Sequence, residues 1–318
     1  DIWFVLAFTG YANTAFLREC VAAQLRIVDE FQPDVLFTDL DPAAFVTAHL
    51  TGLPTAYPFQ GIVDYHWLPL PYTLLSRALR TLLIEYGQPV MTPEELLLGP
   101  ERLKLIPSIP ELDGTPPDRP DVVYTGSLLG DIQPGAGFTP EPGMRYVFAY
   151  VGTGSISLKT LQRVLPLVFP DGGGVRCLVG AQSIERPYRI GSVEFMPYVP
   201  AADVLPHCNW TIAHAGQNTI VQSLLHGVPL LLFPGPIFER RFNAEKVQAA
   251  GVGFMGEVNE FTPEWFAARL ARQAECAARA RGLGDRIRSY GGPAAAVRAL
   301  EAWATGQPIE DAQAAVVG

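Results

Sequence analysis

Apolar segments alternate with turn residues along most of the chain, a pattern that predicts alternating strands and helices. Residues 14–31 place Phe, Leu and Val at helical spacing, which predicts an amphipathic helix. Short buried strands are predicted at 35–37 and 55–59, with a helix at 43–50 between them. A strand, a helix and a second strand in this order indicate a βαβ unit of a parallel sheet.

The second half of the chain continues the alternation. Apolar strands are predicted at 146–151, 175–179, 193–195, 210–213 and 230–233, and Ala- and Arg-rich helices close the chain. Between the halves, residues 127–144 are rich in Gly and Pro, which is typical of a linker. We therefore predict an α/β protein with an N-terminal domain over residues 1–126 and a C-terminal domain, including the closing helices, over 145–318.

Composition and charge narrow the class of protein. With 48% hydrophobic and 17% charged residues, the chain can form a sizeable core. The net charge of -9 argues against a nucleic-acid partner, because a protein that binds nucleic acid normally has a basic face. The four cysteines form no CxxC pair, which fits a reduced, cytoplasmic protein better than a zinc site or a disulfide framework. No run of 18 apolar residues occurs, so we predict no membrane-spanning helix.

The stretch that begins at His214 predicts an anion-binding site. The strand 210–213 ends in His214-Ala215-Gly216, and a helix is predicted to follow. Backbone N–H groups at a helix start point outward, and the helix dipole favours negative charge there. A second strand, glycine turn and helix occur around residues 152–155, although a short glycine turn alone is weak evidence. A diphosphate group suits such a seat.

Three features of the N-terminal half each allow two interpretations. Asp39 and Asp41 follow the strand 35–37, where ligands of parallel sheets bind. Asp41 precedes Pro42, however, and we favour its role as the N-cap of the next helix. The aromatic and apolar region 59–84 suits a pocket for an apolar ligand, but such regions are more often core. His66 in that region suits a proton carrier or an ordinary surface residue.

From Tyr198 onward the sequence resembles the donor-binding signature of family 1 glycosyltransferases. Plant members have a Trp-Ala-Pro-Gln segment, then His-Cys-Gly-Trp-Asn-Ser-x-x-Glu, then Gly-Val-Pro and then Asp/Glu-Gln-x-x-Asn-Ala. Bacterial macrolide members have His-Gly-Gly-x-Gly-Thr in the middle. The corresponding segments here are Tyr198-Val199-Pro200-Ala201, His214-Ala215-Gly216-Gln217-Asn218-Thr219, Gly227-Val228-Pro229 and Glu239-Arg240-Arg241-Phe242-Asn243-Ala244. The resemblance implies the GT-B fold, in which two Rossmann-like domains with parallel sheets face each other across a cleft.

The resemblance also implies a site and a reaction. A sugar would pass, with inversion, from a UDP- or dTDP-linked donor to a small acceptor, without a metal or other cofactor. The apolar region 59–84 would hold the acceptor, which indicates a lipophilic molecule. His214, Asn218 and Thr219 would hold the diphosphate, Tyr198 would lie against the base, and Glu239 and Arg240 would touch the sugar. The full set of implied donor-binding residues is Gly152, Thr153, Ser155, Tyr198, Val199, His214, Gly216, Asn218, Thr219, Gln222, Glu239 and Arg240.

The chain departs from the family pattern at three positions of this signature. Gln222 stands where a Glu usually binds the ribose, so an acceptor oxygen remains but its charge is lost. Arg240 replaces Gln, and its cation suits a carboxylated sugar or an ion pair with Glu239. Ala201 also replaces a Gln.

The largest departure is in the N-terminal half. The family's catalytic base is a His in a Gly-rich loop after the first strand, oriented by an Asp. No such loop is present, while Asp39 lies where the orienting Asp is expected. We therefore expect about two or three βα units, ~30 residues each, to precede Asp1 in the full protein. The one Asp-x-Asp segment, Asp39-Leu40-Asp41, is interpreted as a coincidence rather than a metal site.

Two alternative functions remain at this stage. A catalytically impaired nucleotide-sugar-binding protein would explain Gln222, Arg240 and the absent His. A nucleotide-sugar epimerase would share the architecture, but it lacks this signature and needs carboxylates that face the sugar from both domains. The sequence does not indicate an oligomeric state.

Overall fold

The computed structural model describes residues 2–61, 69–129, 138–150, 154 and 156–309. The chain divides into two compact units. Unit 1 comprises Asp1–Pro110, Gly114–Thr125 and Tyr290–Gly318, and unit 2 comprises Glu111–Asp113 and Gly126–Ser289. The sequence-based prediction assigned all closing helices to the C-terminal domain, whereas the structure groups the last of them with unit 1.

The described elements follow the predicted alternation. The helices are α1 (Ile2–Leu6), α2 (Thr14–Phe31), α3 (Pro42–Thr51), α4 (Pro69–Glu85), α5 (Pro93–Leu98), α6 (Pro110–Asp113), α7 (Leu158–Val168), α8 (Ala201–Val204), α9 (Gln217–Leu225), α10 (Phe238–Ala249), α11 (Pro263–Leu270), α12 (Gln273–Ser289) and α13 (Gly292–Thr305). A π-helical turn follows α1 at Ala7–Tyr11, and short 3-10 helices are found at Leu205–His207 and Val258–Glu260.

The strands are β1 (Leu36–Phe37), β2 (Thr55–Pro58), β3 (Arg102–Ile106), β4 (Val122–Tyr124), β5 (Arg145–Tyr150), β6 (Val175–Gly180), β7 (Tyr188–Ile190), β8 (Val193–Met196), β9 (Cys208–Ala213), β10 (Leu230–Leu232) and β11 (Gly253–Met255). None of the helices in the described ranges is both long enough and apolar enough to span a bilayer.

Unit 1 contains a parallel sheet in the order β1-β2-β3-β4 among the described residues. Its helix α3 is buried from Pro42 to Ala48, because the helix carries almost no polar side chains in this part. The carboxylate of Asp41 accepts a hydrogen bond from the N–H of Ala43 at 2.9 Å, and Pro42 occupies the first turn. The predicted N-cap role of Asp41 is therefore confirmed.

The region 59–84 proves to be largely core where the structure describes it. Leu75, Leu79 and Leu82 of α4 are completely buried in the hydrophobic cluster of unit 1. Leu70 and Leu74, on the opposite face of the same helix, are exposed. His66 lies outside the described residues.

Unit 2 contains a larger sheet, in the order β11-β10-β9-β5-β6-β8-β7 among the described residues. Its strands are parallel except β7, which pairs antiparallel with β8 and was not predicted. Ala213, at the end of β9, pairs with Tyr150 of β5 and Leu232 of β10. Three strands therefore end at the same level of one sheet edge, and the segments that follow them begin side by side.

Two helix boundaries differ from those that the sequence predicts, namely a helix over 158–165 that ends before Pro166 and a helix over 219–226. The helix α7 continues past Pro166 to Val168, because a proline in the last turn removes a single backbone hydrogen bond. The helix α9 begins at Gln217, two residues earlier than expected, and Gly216 occupies its N-cap.

The helix α12 packs closely against the end of α9. A side chain built at Gly284 would place its Cβ 2.2 Å from the carbonyl oxygen of Leu224, so the two backbones meet without room for a methyl group. The guanidinium of Arg288, also on α12, donates to the carbonyl of Leu225 in the last turn of α9. Gly282, two residues before Gly284 on α12, is exposed and has open space around it.

We predict that Gly284→Ala destabilises the protein by about 1–3 kcal/mol, because the added methyl group forces α12 away from α9. The matched change Gly282→Ala should instead stabilise by about 0.5–1 kcal/mol, because alanine is the better helix former. Urea denaturation followed by circular dichroism measures both values. Equal shifts in the two variants would show that the α9–α12 contact does not limit the size of residue 284.

Candidate functional site

The turn after β9 brings His214 over the start of α9. Ala215 in this turn is completely buried and has a φ of 67°, a left-handed conformation that is rare for a residue other than glycine. Gly216 follows as the N-cap. A Cβ at position 216 would lie 3.0 Å from Nε2 of His214, so the imidazole edge faces the first turn of α9.

The start of α9, from Gly216 to Thr219, has the geometry of an anion-binding site, which we call the seat. Gly216 has no side chain that could cap the helix, and Asn218 in the first turn is exposed. The buried hydroxyl of Ser223 donates to the carbonyl of Thr219 at 2.8 Å, and its oxygen lies within hydrogen-bonding distance, 2.9 Å, of the hydroxyl oxygen Oγ1 of Thr211 on β9. These bonds fix the helix to the strand. The positive end of the helix dipole therefore has a fixed position at the edge of the sheet.

The environment of His214 favours the neutral imidazole. Burial lowers its pKa, the charge of Arg240 lowers it further, and the backbone carbonyl of Tyr150 partly offsets both effects. Nδ1 is buried, and no hydrogen-bond partner of good geometry is found for it among the described residues. The ring of Tyr150 lies 5.8 Å from that of His214, centroid to centroid. At pH 7 His214 thus acts as a neutral hydrogen-bonding group beside the helix start.

The start of α10 brings Glu239 and Arg240 to the same place. The side-chain amide of Asn243 donates to Oε1 of Glu239 at 3.1 Å and to the carbonyl of Ala215 at 3.0 Å. The neighbouring Arg241 instead pairs with Glu257, in two hydrogen bonds of 2.9 and 3.1 Å. Asn243 was missed as a site residue from the sequence, although the Asn-Ala pair of the motif contains it.

Tyr198 and Val199, at the end of β8, have opposite environments. Tyr198 is 76% exposed, as an aromatic platform for a base requires. Val199 is 6% exposed and packs in a core cluster with Phe148 and Leu178. The side chain of Val199 therefore belongs to the core, which its position in the motif did not reveal. Three strand spacings of ~4.8 Å separate β8 from β9, so about 14 Å lies between Tyr198 and the helix start, a span that suits a nucleoside diphosphate.

The predicted residues that unit 1 contains, Asp39 and Asp41, follow β1. Asp39 is exposed after β1, and Leu40 beside it has a φ of 53°. The carboxylate of Asp41 accepts from Gln24 at 2.9 Å as well as from the cap, so this side chain is already engaged. Within the described residues, no three His, Cys, Asp or Glu side chains lie together as metal ligands would.

The other predicted residues divide as follows. Seven of them lie on or beside the first two turns of α9 or the start of α10: His214, Gly216, Asn218, Thr219, Gln222, Glu239 and Arg240. Gln222, on the second turn of α9, is half-buried. Gly152, Thr153 and Ser155 lie outside the described residues.

The chain is similar to known proteins in both sequence and fold. Residues 185–302 match the family model of the erythromycin biosynthesis protein CIII-like, C-terminal domain. The resemblance to family 1 glycosyltransferases is confirmed. Over 93 residues the chain is 30% identical to aclacinomycin-T 2-deoxy-L-fucose transferase of Streptomyces galilaeus. These residues cover 29% of this chain and 20% of that protein. Over 262 residues it is 24% identical to UDP-glucuronosyltransferase 3A2 of Mus musculus, 74% of this chain and 48% of the relative.

Solved structures establish the fold. The glycosyltransferase VinC, in complex with dTDP, superposes with a TM-score of 0.69 at 19% sequence identity, over 96% of this chain and 80% of that one. The fold is therefore GT-B, as the motifs predict. The chain spans less than half the length of the two curated relatives named above.

The pKa of His214 provides a test of this geometry. We predict that Arg240→Gln raises that pKa, because the variant lacks the positive charge that, together with burial, lowers it. A histidine whose pKa is lowered in the folded protein binds protons more readily in the unfolded chain. The free energy of unfolding therefore falls as the pH drops below the pKa that the histidine has in the unfolded chain. This loss should be smaller in the variant. NMR titration of the histidine ring protons measures the pKa.

Arg241→Gln serves as the control, since Arg241 pairs with Glu257. It should leave the titration of His214 unchanged. An equal shift in the two variants would mean that Arg240 does not face the imidazole.

Proposed function

We propose that this chain is part of an inverting glycosyltransferase that moves a sugar from a UDP- or dTDP-linked donor to a hydroxyl of a small, lipophilic acceptor. The observation that carries the proposal is the start of α9, where Gly216 leaves the first turn uncapped and His214 faces it. The helix dipole, the backbone N–H groups and a neutral imidazole together suit a diphosphate.

The proposed role of this seat is to stabilise the leaving group. As the bond between sugar and diphosphate breaks, negative charge grows on the diphosphate oxygens. Donors that already point at those oxygens lower the barrier without reorganising. Asn218 and Thr219, with Gly152, Thr153 and Ser155, complete the contacts to the diphosphate in this proposal, and no metal ion takes part.

The base, the ribose and the sugar of the donor are assigned to the other predicted donor-binding residues. Tyr198 stacks against the base, with the backbone of Val199 beside it, and Gln222 accepts from the ribose. Glu239 and Arg240 contact the sugar. The donors in the names of the proteins compared differ, UDP for the mouse relative and dTDP for VinC, so the proposal retains both.

The acceptor side is proposed to lie in unit 1. Asp39 follows a parallel strand and is exposed, so its carboxylate is available to orient a catalytic histidine. The five histidines of the sequence include none in a Gly-rich loop after a first strand. Leu70 and Leu74 expose apolar surface on α4, in support of a lipophilic acceptor.

An assay of the full gene product with UDP-glucose and dTDP-glucose tests the reaction. Release of the nucleoside diphosphate together with free or transferred sugar supports a transferase. An epimerised donor would replace the proposal with an epimerase. Tight donor binding without any turnover would identify a catalytically impaired binding protein.

We predict that His214→Ala weakens the binding of UDP and dTDP by about 10- to 100-fold, the usual effect of losing one hydrogen bond to a charged group. Isothermal titration calorimetry measures the dissociation constants. His226→Ala is the matched control, because His226 is the C-cap at the far end of the same helix and should not affect affinity. Unchanged affinity in His214→Ala would contradict the diphosphate assignment.

A further inference from the structure

The side chain of Asn243 connects two segments of the site that lie 28 residues apart in sequence. It is 4% exposed, on the second turn of α10. Its Nδ2 donates to the carbonyl of Ala215 at 3.0 Å and to Oε1 of Glu239 at 3.1 Å. Both partners are acceptors only, so the NH₂ end of the amide, with its two hydrogens, is the end that fits between them.

The first of these bonds acts on the turn that carries His214. Ala215 is held in a left-handed conformation without the freedom of glycine, so its carbonyl direction depends on a partner. Asn243 supplies that partner from α10. Because His214 and Gly216 flank Ala215, a rotation of this peptide would move both the imidazole and the N-cap of α9.

The second bond acts on the carboxylate of Glu239. Asn243 lies one helical turn after Glu239, the spacing at which two side chains meet on one face. It holds Oε1, and no hydrogen bond within the described ranges uses Oε2. The carboxylate therefore has one oxygen fixed by Asn243 and a second that no hydrogen bond among the described residues occupies.

We propose that Asn243 is a positioning residue that sets the diphosphate seat and the sugar-contacting carboxylate in one geometry, without touching the donor itself. The inference rests on the proposed function, because it assigns a use to the geometry of that same site. It predicts that donor affinity depends on the hydrogen-bond donors of residue 243 and not only on its volume.

Asn243→Asp separates these two effects, because it keeps the volume and removes both donors. At alkaline pH the new carboxylate faces the carbonyl of Ala215 and the carboxylate of Glu239, so both bonds become repulsive. Two facing carboxyls retain a shared proton to a higher pH than a single one. On acidification that proton restores a hydrogen bond between residues 239 and 243.

Calorimetry with UDP-glucose and dTDP-glucose at about pH 8 and about pH 5.5 tests the proposal. Relative to the wild type at the same pH, Asn243→Asp should bind the donor at least ~10-fold more weakly at the higher pH and by a clearly smaller factor at the lower one, where one of the two bonds is restored. His214 and Arg240 also face this region, so each variant is compared with the wild type at the same pH.

Two further variants complete the design. Asn243→Ser has no charge to titrate, so its affinity should be reduced by a similar factor at both pH values. Glu245→Gln changes an exposed residue of the same helix and should bind like the wild type. Thermal melting at both pH values verifies that each variant is folded, and Asn243→Ser decides the question if Asn243→Asp does not fold.

The outcomes distinguish the inference from the function on which it rests. If the wild type binds neither donor nor the free diphosphates, the proposed function fails. If the wild type binds and both Asn243 variants match it, the positioning role alone is wrong. A loss in Asn243→Asp that is equal at both pH values would indicate a general packing defect and also overturn the inference.

Discussion

The attachment of α9 to β9 is the interaction on which the rest of the site depends. Ser223 binds Thr211 across this contact, and Gly284 lets α12 approach the other end of the helix without a gap. A helix dipole acts on a ligand only when its position is fixed relative to the other contacts. Because β5, β9 and β10 end at one level, the segments that surround the helix start are fixed by the same sheet.

Electrostatics at this helix start are arranged with few formal charges. The imidazole of His214 is kept neutral by burial and by Arg240, which itself stands close to the seat. Glu239 is the nearby carboxylate that the structure holds through Asn243. A site of neutral donors with Arg240 nearby would suit the leaving diphosphate of the proposed reaction, because it stabilises charge without binding it as tightly as several cations would.

Much of the fold could be predicted from the sequence because the signals are local. The apolar spacing of residues 14–31 predicted α2 over its full length, and Asp41 before Pro42 predicted a helix cap. Both depend on residues that are neighbours in the chain. The short antiparallel strand β7 was not predicted, because Tyr188–Ile190 has no distinct apolar pattern and pairs only because β8 offers an edge.

The sequence by itself determined the alternation of strands and helices, the turn that carries His214 and the resemblance from which the roles of the motif residues are proposed. Only the tertiary structure decided that the side chain of Val199 faces the core while Tyr198 faces solvent, and that Asn243 reaches Ala215. It also decided that α13 packs with unit 1. The physical reason is that a motif fixes residue types and spacing, whereas burial and long-range hydrogen bonds depend on which elements pack together.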